Sequence, residues 1–206
     1  MNDPAEALRA LGAATLGETG GRPMLPRIKA AWSGARLAAP AFAVTCAPGD
    51  NLAIHAAVVE APEGSALVAA ATDPAELGYW GEVLTTAAES RRLAGLVIDG
   101  GVRDVEALEA HRFPVFSAMI ALKGAVKVAG GAIGGTARVG GVDVRTGDWV
   151  VGDRDGVTVI PAEHLDEVIA AGQARADKES AMFTKLREGA TTVELLGLDT
   201  SPVTRG

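Results

Sequence analysis

The sequence predicts an α/β fold with a parallel sheet, followed by a β-rich unit and a long C-terminal helix. Strand-like and helix-like segments alternate over 38–118, glycine-separated β segments fill 125–161, and a proline-free stretch follows to about residue 188. The 206 residues, 48% of them hydrophobic, are enough for one domain with a sizeable core. We expect an N-terminal helix and irregular segment over 1–35, a core over 36–160 and a helix over 161–190.

The chain begins with a short predicted helix and then enters the first strand. Asp3 followed by Pro4 is a typical N-cap and first-turn pair, so we predict a helix through Leu11. Glycines and prolines between residues 17 and 26 then indicate an irregular segment. The apolar run 38–46 predicts a strand, and the Gly-Asp pair at 49–50 caps a predicted helix over 51–60.

The middle of the chain alternates strands and helices. Apolar runs at 65–71, 95–99 and 114–118 predict strands, and continuous apolar runs of this kind are typical of strands buried on both faces. Helices are predicted over 81–92 and 104–111, between those strands. This order predicts a right-handed βαβ series with a parallel sheet.

The last part of the core changes to short β segments separated by glycine turns. This pattern predicts an antiparallel meander or a small barrel-like unit. The predicted strands are 126–128, 136–139, 142–144, 148–151 and 157–160. From residue 161 to about 188 the chain has helical spacing and only Gly172 as a weak point, which predicts one long helix.

Composition excludes several functional classes. The net charge is −7 and the basic residues are scattered, so direct binding of RNA or DNA is not expected. The single cysteine, Cys46, lies in an apolar run, which indicates a core residue in a reducing compartment. No signal-like N-terminus occurs, and no apolar run approaches the roughly 18 residues of a membrane span. We therefore expect a cytoplasmic protein without membrane contacts.

Three charged residues follow predicted strands and mark a candidate site. Glu82 comes directly after Gly81 at the start of a helix, and Arg103 and Asp104 follow the strand 95–99. Open α/β sheets bind ligands at the carboxyl ends of their strands, and these side chains suit a hard divalent cation and an anionic substrate. Taken singly, each residue also has a structural interpretation: a carboxylate at a helix start, a solvated cation and an N-cap.

Other motifs in the sequence give weaker evidence for a functional site than these three charged residues. The glycine-rich segment 130–135 lies between β segments and does not open a helix, so dinucleotide binding is not expected. His55, His111 and His164 lack metal-ligand spacing, which argues against zinc. The carboxylates favour magnesium or manganese instead. Neither a Gly-x-Ser-x-Gly elbow nor a Walker loop occurs.

Four segments resemble the RraA-like family. This family includes 4-hydroxy-4-methyl-2-oxoglutarate / 4-carboxy-4-hydroxy-2-oxoadipate aldolases and protein regulators of ribonuclease E. The segments are Gly-Glu-Val-Leu-Thr-Thr-Ala-Ala at 81–88, Gly-Leu-Val-Ile-Asp-Gly-Gly-Val-Arg-Asp at 95–104, Pro-Val-Phe at 114–116 and Gly-Asp-Trp-Val-Val-Gly-Asp-Arg-Asp-Gly-Val at 147–157. The resemblance runs from about residue 36 to residue 198.

The resemblance implies a swivelling β/β/α sandwich related to the phosphohistidine domain, assembled into trimers or hexamers with sites between subunits. It implies that Glu82, Arg103 and Asp104 form the site for the metal and pyruvate. A glutamate from the C-terminal helix of a neighbouring subunit would complete the site, and Glu179 matches it. The stretch 15–19 and the pair at 123–124 depart from common family patterns, which leaves the substrate open.

The expected function is a class II, metal-dependent lyase acting on a 2-oxo acid. Retro-aldol cleavage of a 4-hydroxy-2-oxo acid and decarboxylation of oxaloacetate both generate the enolate of pyruvate. Asp104 would bind Mg²⁺ or Mn²⁺, with Glu82 interacting through water, and Arg103 would neutralise the enolate. A water positioned by Glu82 or by Glu179 of a neighbour is the expected proton acceptor.

The carboxylate of the substrate is assigned to backbone N–H groups at a helix start. These groups belong to Gly81, Glu82, Val83 and Leu84. Two alternatives stay open: a protein-binding regulator, such as a ribonuclease inhibitor with an acidic surface, and a relative that binds a keto acid or sugar acid without turnover.

Overall fold

A computed structural model describes residues 3–71 and 73–204 of the chain. Its first half alternates helices and strands. The elements are α1 (Pro4–Glu18), β1 (Arg22–Pro23), β2 (Lys29–Ala30), β3 (Leu37–Cys46), α2 (Leu52–Glu60), β4 (Ala66–Ala70), β5 (Gly78–Trp80), α3 (Glu82–Ser90), β6 (Gly95–Val102), α4 (Val105–His111) and β7 (Val115–Ile120).

The second half is rich in short strands and ends in helices. Its elements are β8 (Gly131–Ile133), β9 (Thr136–Val139), β10 (Val142–Arg145), β11 (Trp149–Gly152), β12 (Val157–Ile160), a 3₁₀ turn (Ala162–His164), α5 (Leu165–Arg187) and α6 (Thr192–Leu196). Among the residues described, no helix is both long enough and apolar enough to cross a membrane.

One curled sheet organises the fold, in the order β1-β12-β11-β3-β4-β6-β7-β2. Strands β3, β4, β6 and β7 are parallel neighbours, with α2 and α4 connecting adjacent pairs, so the predicted βαβ series is confirmed. Strand β11 joins β3 in antiparallel orientation and pairs with β12. Strand β5 adds to β6 and β8 adds to β3, while β9 and β10 form a separate hairpin.

Side chains of the central strands alternate between two hydrophobic cores, as the period of a strand requires. In β4, Leu67 packs in the core that also contains Ile54 of α2 and Leu108 of α4. The next residue, Val68, packs in the opposite core with Val139 of β9. Complete burial of such a side chain stabilises the fold by about 1.5–3 kcal/mol. The central strands of the sheet are therefore packed on both faces.

The N-terminal helix is longer than predicted. Asp3 caps it as expected, since the N–H of Ala5 donates to Asp3 Oδ1 at 3.0 Å. The predicted end near Leu11 corresponds to a kink at Gly12, where φ is 79°, and the helix then continues to Glu18. The N–H of Ala13, just after the kink, donates to Asp153 at 2.8 Å. This side-chain contact across the fold was not evident from local spacing.

The predicted strand at 126–128 is wrong. The N–H groups of Val128 and Ala129 donate to the carboxylate of Asp50, instead of pairing along a neighbouring strand. A single bridge between Asp50 and Val126 is the extent of the strand-like pairing in this segment. The β-rich region is also not one continuous meander, because the hairpin of β9 and β10 is separate from the pair β11 and β12 in the main sheet.

Candidate active site

Strands β5 and β6 end side by side at one edge of the parallel sheet. Trp80 pairs with Val102, and the N–H of Arg103 donates to the carbonyl oxygen of Trp80 at 2.9 Å. Beyond these strands, Gly81 leads directly into α3, and Asp104 leads directly into α4. The pairing of β5 with β6 therefore brings the N-terminus of α3 against Arg103 and Asp104.

A glycine is needed at residue 81 because the two chain segments approach closely. The backbone of Gly81 is extended, with φ −166°, so its conformation does not require glycine. A Cβ atom at this position would overlap Oδ2 of Asp104 and lie 3.2 Å from Cγ of Arg103. The absence of a side chain allows the carboxylate of Asp104 to reach the N–H of Glu82, the first residue of α3.

Asp104 has a special backbone conformation and contacts the neighbouring helix. It occupies the N-cap position of α4 in the left-handed region, with φ 57°, which non-glycine residues adopt at a cost. Its side chain does not cap α4. Instead, Oδ2 accepts a hydrogen bond from the N–H of Glu82 at 3.1 Å and lies 3.6 Å from Nε of Arg103. The predicted N-cap position is correct, but the carboxylate binds the start of α3.

These elements enclose a cleft of about 310 Å³. It contains most of the residues that the sequence placed at the site, including Arg103 and Asp104. The lining residues are Asn51, His55, Gly78, Tyr79, Trp80, Gly81, Val83, Leu84, Arg103, Asp104, Gly124, Ala125 and Lys127.

The backbone N–H of Glu82 donates to Asp104 at the cleft, whereas its carboxylate lies beside His111. Its Oε1 lies 3.7 Å from Nε2 of His111, and the residue is not among those lining the cleft. Nδ1 of His111 lies 2.8 Å from Oε2 of Glu89, so the imidazole bridges α3 and α4. The hydrogen bond with Glu89, and then the interaction with Glu82, raise the pKa of His111. The structure thus places this predicted catalytic carboxylate beside a histidine.

Glu179 lies on α5 and does not line the cleft of its own chain. Its Oε1 is 3.0 Å from Nε of Arg175, which also contacts Glu18 of α1. Its assignment to the site of a neighbouring subunit stays a prediction.

The carboxylate that the described cleft residues offer to a divalent cation is that of Asp104. Among the described residues there is no group of three or more histidine, cysteine or acidic side chains that could hold a metal. Asp104 is the acidic residue among the lining residues of the cleft, and its side chain is 41% exposed. Magnesium is commonly bound through one or two carboxylates together with water and substrate oxygens. The cleft therefore fits a cation that binds Asp104 and a chelating substrate.

Sequence reasoning missed one wall of the cleft, formed by Asn51, His55 and Lys127. Asn51 is 5% exposed, and its Nδ2 donates to the carbonyl oxygen of Tyr79 at 2.8 Å. Burial, and then the charge of Lys127, lower the pKa of His55 below its usual value. In the sequence, Asn51 and His55 are four residues apart at the start of a predicted helix, which predicts that they share one face of that helix. This spacing does not indicate which strand end that face lies against.

Comparisons with known proteins place this chain in a family. A family model described as RraA-like: Aldolase/RraA matches residues 7–159. A protein of Halalkalibacterium halodurans with the provisional name 4-hydroxy-4-methyl-2-oxoglutarate aldolase is 37% identical over 142 residues, which cover 68% of each chain.

Solved structures share the fold over most of the chain. A protein of Pseudomonas syringae pv. tomato superposes with a TM-score of 0.78 and 24% identity, covering 91% of this chain and 94% of the other. Streptomyces coelicolor RraAS2, described as an unusual member of the RNase ES inhibitor RraA protein family, has a TM-score of 0.76 and 25% identity, covering 91% and 98%.

Proposed function

This chain belongs to the RraA-like family, and on that premise we propose that it is a divalent-metal-dependent lyase that cleaves a 4-hydroxy-2-oxo acid to pyruvate. One observation carries the proposal. Arg103, Asp104 and the N-terminus of α3 meet in one cleft at the carboxyl ends of β5 and β6. The provisional aldolase name of the Halalkalibacterium halodurans relative supports the same reaction class.

Arg103 and α3 supply the interactions for the pyruvate half of the substrate. In the retro-aldol reaction, negative charge develops on the C2 oxygen, and the guanidinium of Arg103 neutralises that charge. The backbone N–H groups of Val83 and Leu84, in the first turn of α3, bind the carboxylate. The N–H of Glu82 donates to Asp104 and so holds the two halves of the site together.

Asp104 would hold the cation, Mg²⁺ or Mn²⁺, together with the keto and carboxylate oxygens of the substrate. When bound, the cation supplies Lewis-acid polarisation of the C2 carbonyl group. Arg103, whose Nε lies 3.6 Å from Oδ2 of Asp104, orients the carboxylate at the cleft. Decarboxylation of oxaloacetate forms the same enolate, so we propose it as a second activity of this site.

We also propose that the active protein is a trimer or a hexamer. In this assembly, Glu179 of a neighbouring subunit reaches the cleft. This contribution would give Glu179, which lies on α5 and outside the cleft of its own chain, a role in the site.

The experiment that tests the lyase proposal is a pyruvate-release assay with the purified protein. The substrates are 4-hydroxy-2-oxoglutarate, 4-hydroxy-4-methyl-2-oxoglutarate and oxaloacetate, each with Mg²⁺, with Mn²⁺ and after chelation of metal. We expect metal-dependent pyruvate release from at least one 4-hydroxy-2-oxo acid, and loss of that release in Arg103→Ala. A folded protein that releases no pyruvate from any of these substrates would contradict the proposal.

A second candidate function is regulation of a ribonuclease without catalysis. The likeness to Streptomyces coelicolor RraAS2 and the net charge of −7 favour this candidate. A ribonuclease E cleavage assay with added protein separates the two. Inhibition that persists in Arg103→Ala, together with no pyruvate release by the wild type, would support regulation.

A further inference from the structure

Two buried polar atoms, one on the N-cap residue of α2 and one in its first turn, lack hydrogen-bond partners among the described residues beside the cleft. Asn51 and His55 are one helical turn apart, with the N–H of His55 donating to the carbonyl oxygen of Asn51 at 3.2 Å. Within the described part of the chain, Oδ1 of Asn51 and Nε2 of His55 are buried and have no hydrogen-bond partner. Because Nδ2 of Asn51 donates to Tyr79, the amide orientation is fixed and Oδ1 is an acceptor.

Buried polar atoms without partners are costly unless a ligand or water satisfies them. Residues four apart on a helix lie on the same face, so both atoms belong to one region of the cleft wall. A hydrogen-bond acceptor in this part of the cleft wall needs a ligand group that can donate a hydrogen bond. A pyruvate carboxylate and keto group have none, whereas the hydroxyl group of a 4-hydroxy-2-oxo acid has one.

The described residues that line the cleft include few groups able to accept a proton. Asp104 is already engaged with the N–H of Glu82 and with Arg103. The side chain of Glu82 contacts His111 outside the cleft lining. His55 is the histidine among the described residues that line the cleft, and its lowered pKa keeps the imidazole neutral at neutral pH.

We propose that His55 is the catalytic base that accepts the C4 hydroxyl proton in the retro-aldol reaction. With the ring hydrogen on Nδ1, Nε2 takes the proton from the C4 oxygen. The C3–C4 bond breaks, C4 becomes a carbonyl carbon, and the electron pair forms the C2–C3 double bond of the enolate. The imidazolium then returns a proton to C3, which gives pyruvate and regenerates neutral His55. This inference rests on the proposed lyase function.

The charges around His55 define the pH dependence expected of this step. Burial, and then the charge of Lys127, lower the pKa of the imidazole, and Asp50, just before α2, opposes that effect. Arg103 and Asp104 lie in the same cleft. We therefore expect kcat/KM for a 4-hydroxy-2-oxo acid to fall on acidification with a midpoint below the ordinary histidine value of about 6.5.

The test measures pH–rate profiles with 4-hydroxy-2-oxoglutarate for the wild type, His55→Gln and Glu60→Gln. Glu60 is an exposed residue at the end of the same helix and serves as the matched control. We expect His55→Gln to lose about 100-fold or more in kcat, with KM within about threefold, because a general base contributes at least this much. The acidic decline should disappear in His55→Gln and persist in Glu60→Gln.

Two further measurements separate catalysis from a structural effect. Added imidazole should restore activity to His55→Ala, since a free base can occupy the vacated space. Oxaloacetate decarboxylation, which removes no hydroxyl proton, should fall far less than retro-aldol cleavage in His55→Gln. Equal losses in the two reactions, or no rescue by imidazole, would contradict the role of His55.

The wild-type profile alone also tests the inference, even if the variants do not fold. A wild type that releases pyruvate at a rate independent of pH between about 5 and 7 would overturn it. If the acidic decline persists in His55→Gln but disappears in Glu82→Gln or His111→Gln, the group that accepts the proton belongs to the Glu82–His111 pair of α3 and α4, and the role of His55 is refuted. Failure of the wild type to release pyruvate from any substrate would overturn the lyase proposal itself.

Discussion

The close approach of Gly81 to Asp104 makes Gly81→Ala the most informative single substitution at the cleft. The added Cβ would overlap Oδ2 of Asp104 and lie 3.2 Å from Cγ of Arg103. The backbone there cannot withdraw easily, because the N–H of Arg103 is bonded to the carbonyl oxygen of Trp80. The carboxylate must therefore turn away, and its hydrogen bond with the N–H of Glu82 must break.

The size of this effect follows from the geometry. Overpacking of a tight contact costs about 1–3 kcal/mol, and for a chain of this length each 1 kcal/mol lowers Tm by about 2–4 °C. A displacement of Asp104 by about 1 Å is enough for a loss near 100-fold in kcat/KM. We expect the loss of activity to exceed the loss of stability, because the overlap falls on a proposed cation ligand.

The assays are pyruvate release coupled to lactate dehydrogenase and thermal unfolding followed by circular dichroism. Gly135→Ala is the control, since a Cβ at Gly135 meets nothing within 4 Å and that residue has no positive φ. We expect Gly135→Ala to match the wild type in both assays. A kcat/KM of Gly81→Ala within about threefold of the wild type, a difference of about 0.7 kcal/mol, would refute this account of the cleft.

Three more predictions concern Arg103, Glu179 and His111. Arg103→Lys should lose at least about tenfold in kcat because a point charge does not replace a planar guanidinium; a rate within about twofold would exclude contact with the enolate. Mixed oligomers of Arg103→Ala and Glu179→Ala should recover activity that neither variant has alone, and verified mixed oligomers without activity would exclude a shared site. Since the pKa of His111 is raised in the folded state, its contribution to stability should be complete below about pH 6.5 and lost as pH rises through the folded-state pKa; identical stability profiles of His111→Gln and the wild type would contradict this.

The parallel core was predictable because its signals are local and repeated. Apolar runs separated by helix starts gave the order of β3, α2, β4, α3, β6, α4 and β7, and the pair Arg103 and Asp104 stands at a strand end as expected. Strand β5 was not predicted, because three residues after a turn carry almost no periodic signal. Yet β5 is the strand that brings Gly81 to Asp104.

The sequence pattern did not predict which partners the side chains contact. Glu82 has the predicted position, but the partner of its carboxylate depends on α4 packing beside α3, which places His111 within 3.7 Å. Similarly, the segment 126–129 has the composition of a strand, while the carboxylate of Asp50 takes its N–H groups. Contacts between residues far apart in the chain decide both cases, and spacing along the chain does not encode them.

The most direct test of the central claim is pyruvate release from 4-hydroxy-4-methyl-2-oxoglutarate by wild-type protein and Asp104→Asn, before and after chelation. Asparagine keeps the size of the side chain and tolerates the left-handed backbone of residue 104, while the charge is removed. We predict that EDTA abolishes release by the wild type, that Mg²⁺ or Mn²⁺ restores it, and that Asp104→Asn stays inactive with either metal. Full activity of the metal-free wild type, or a wild-type rate in Asp104→Asn, would contradict the proposal that Asp104 holds a catalytic cation.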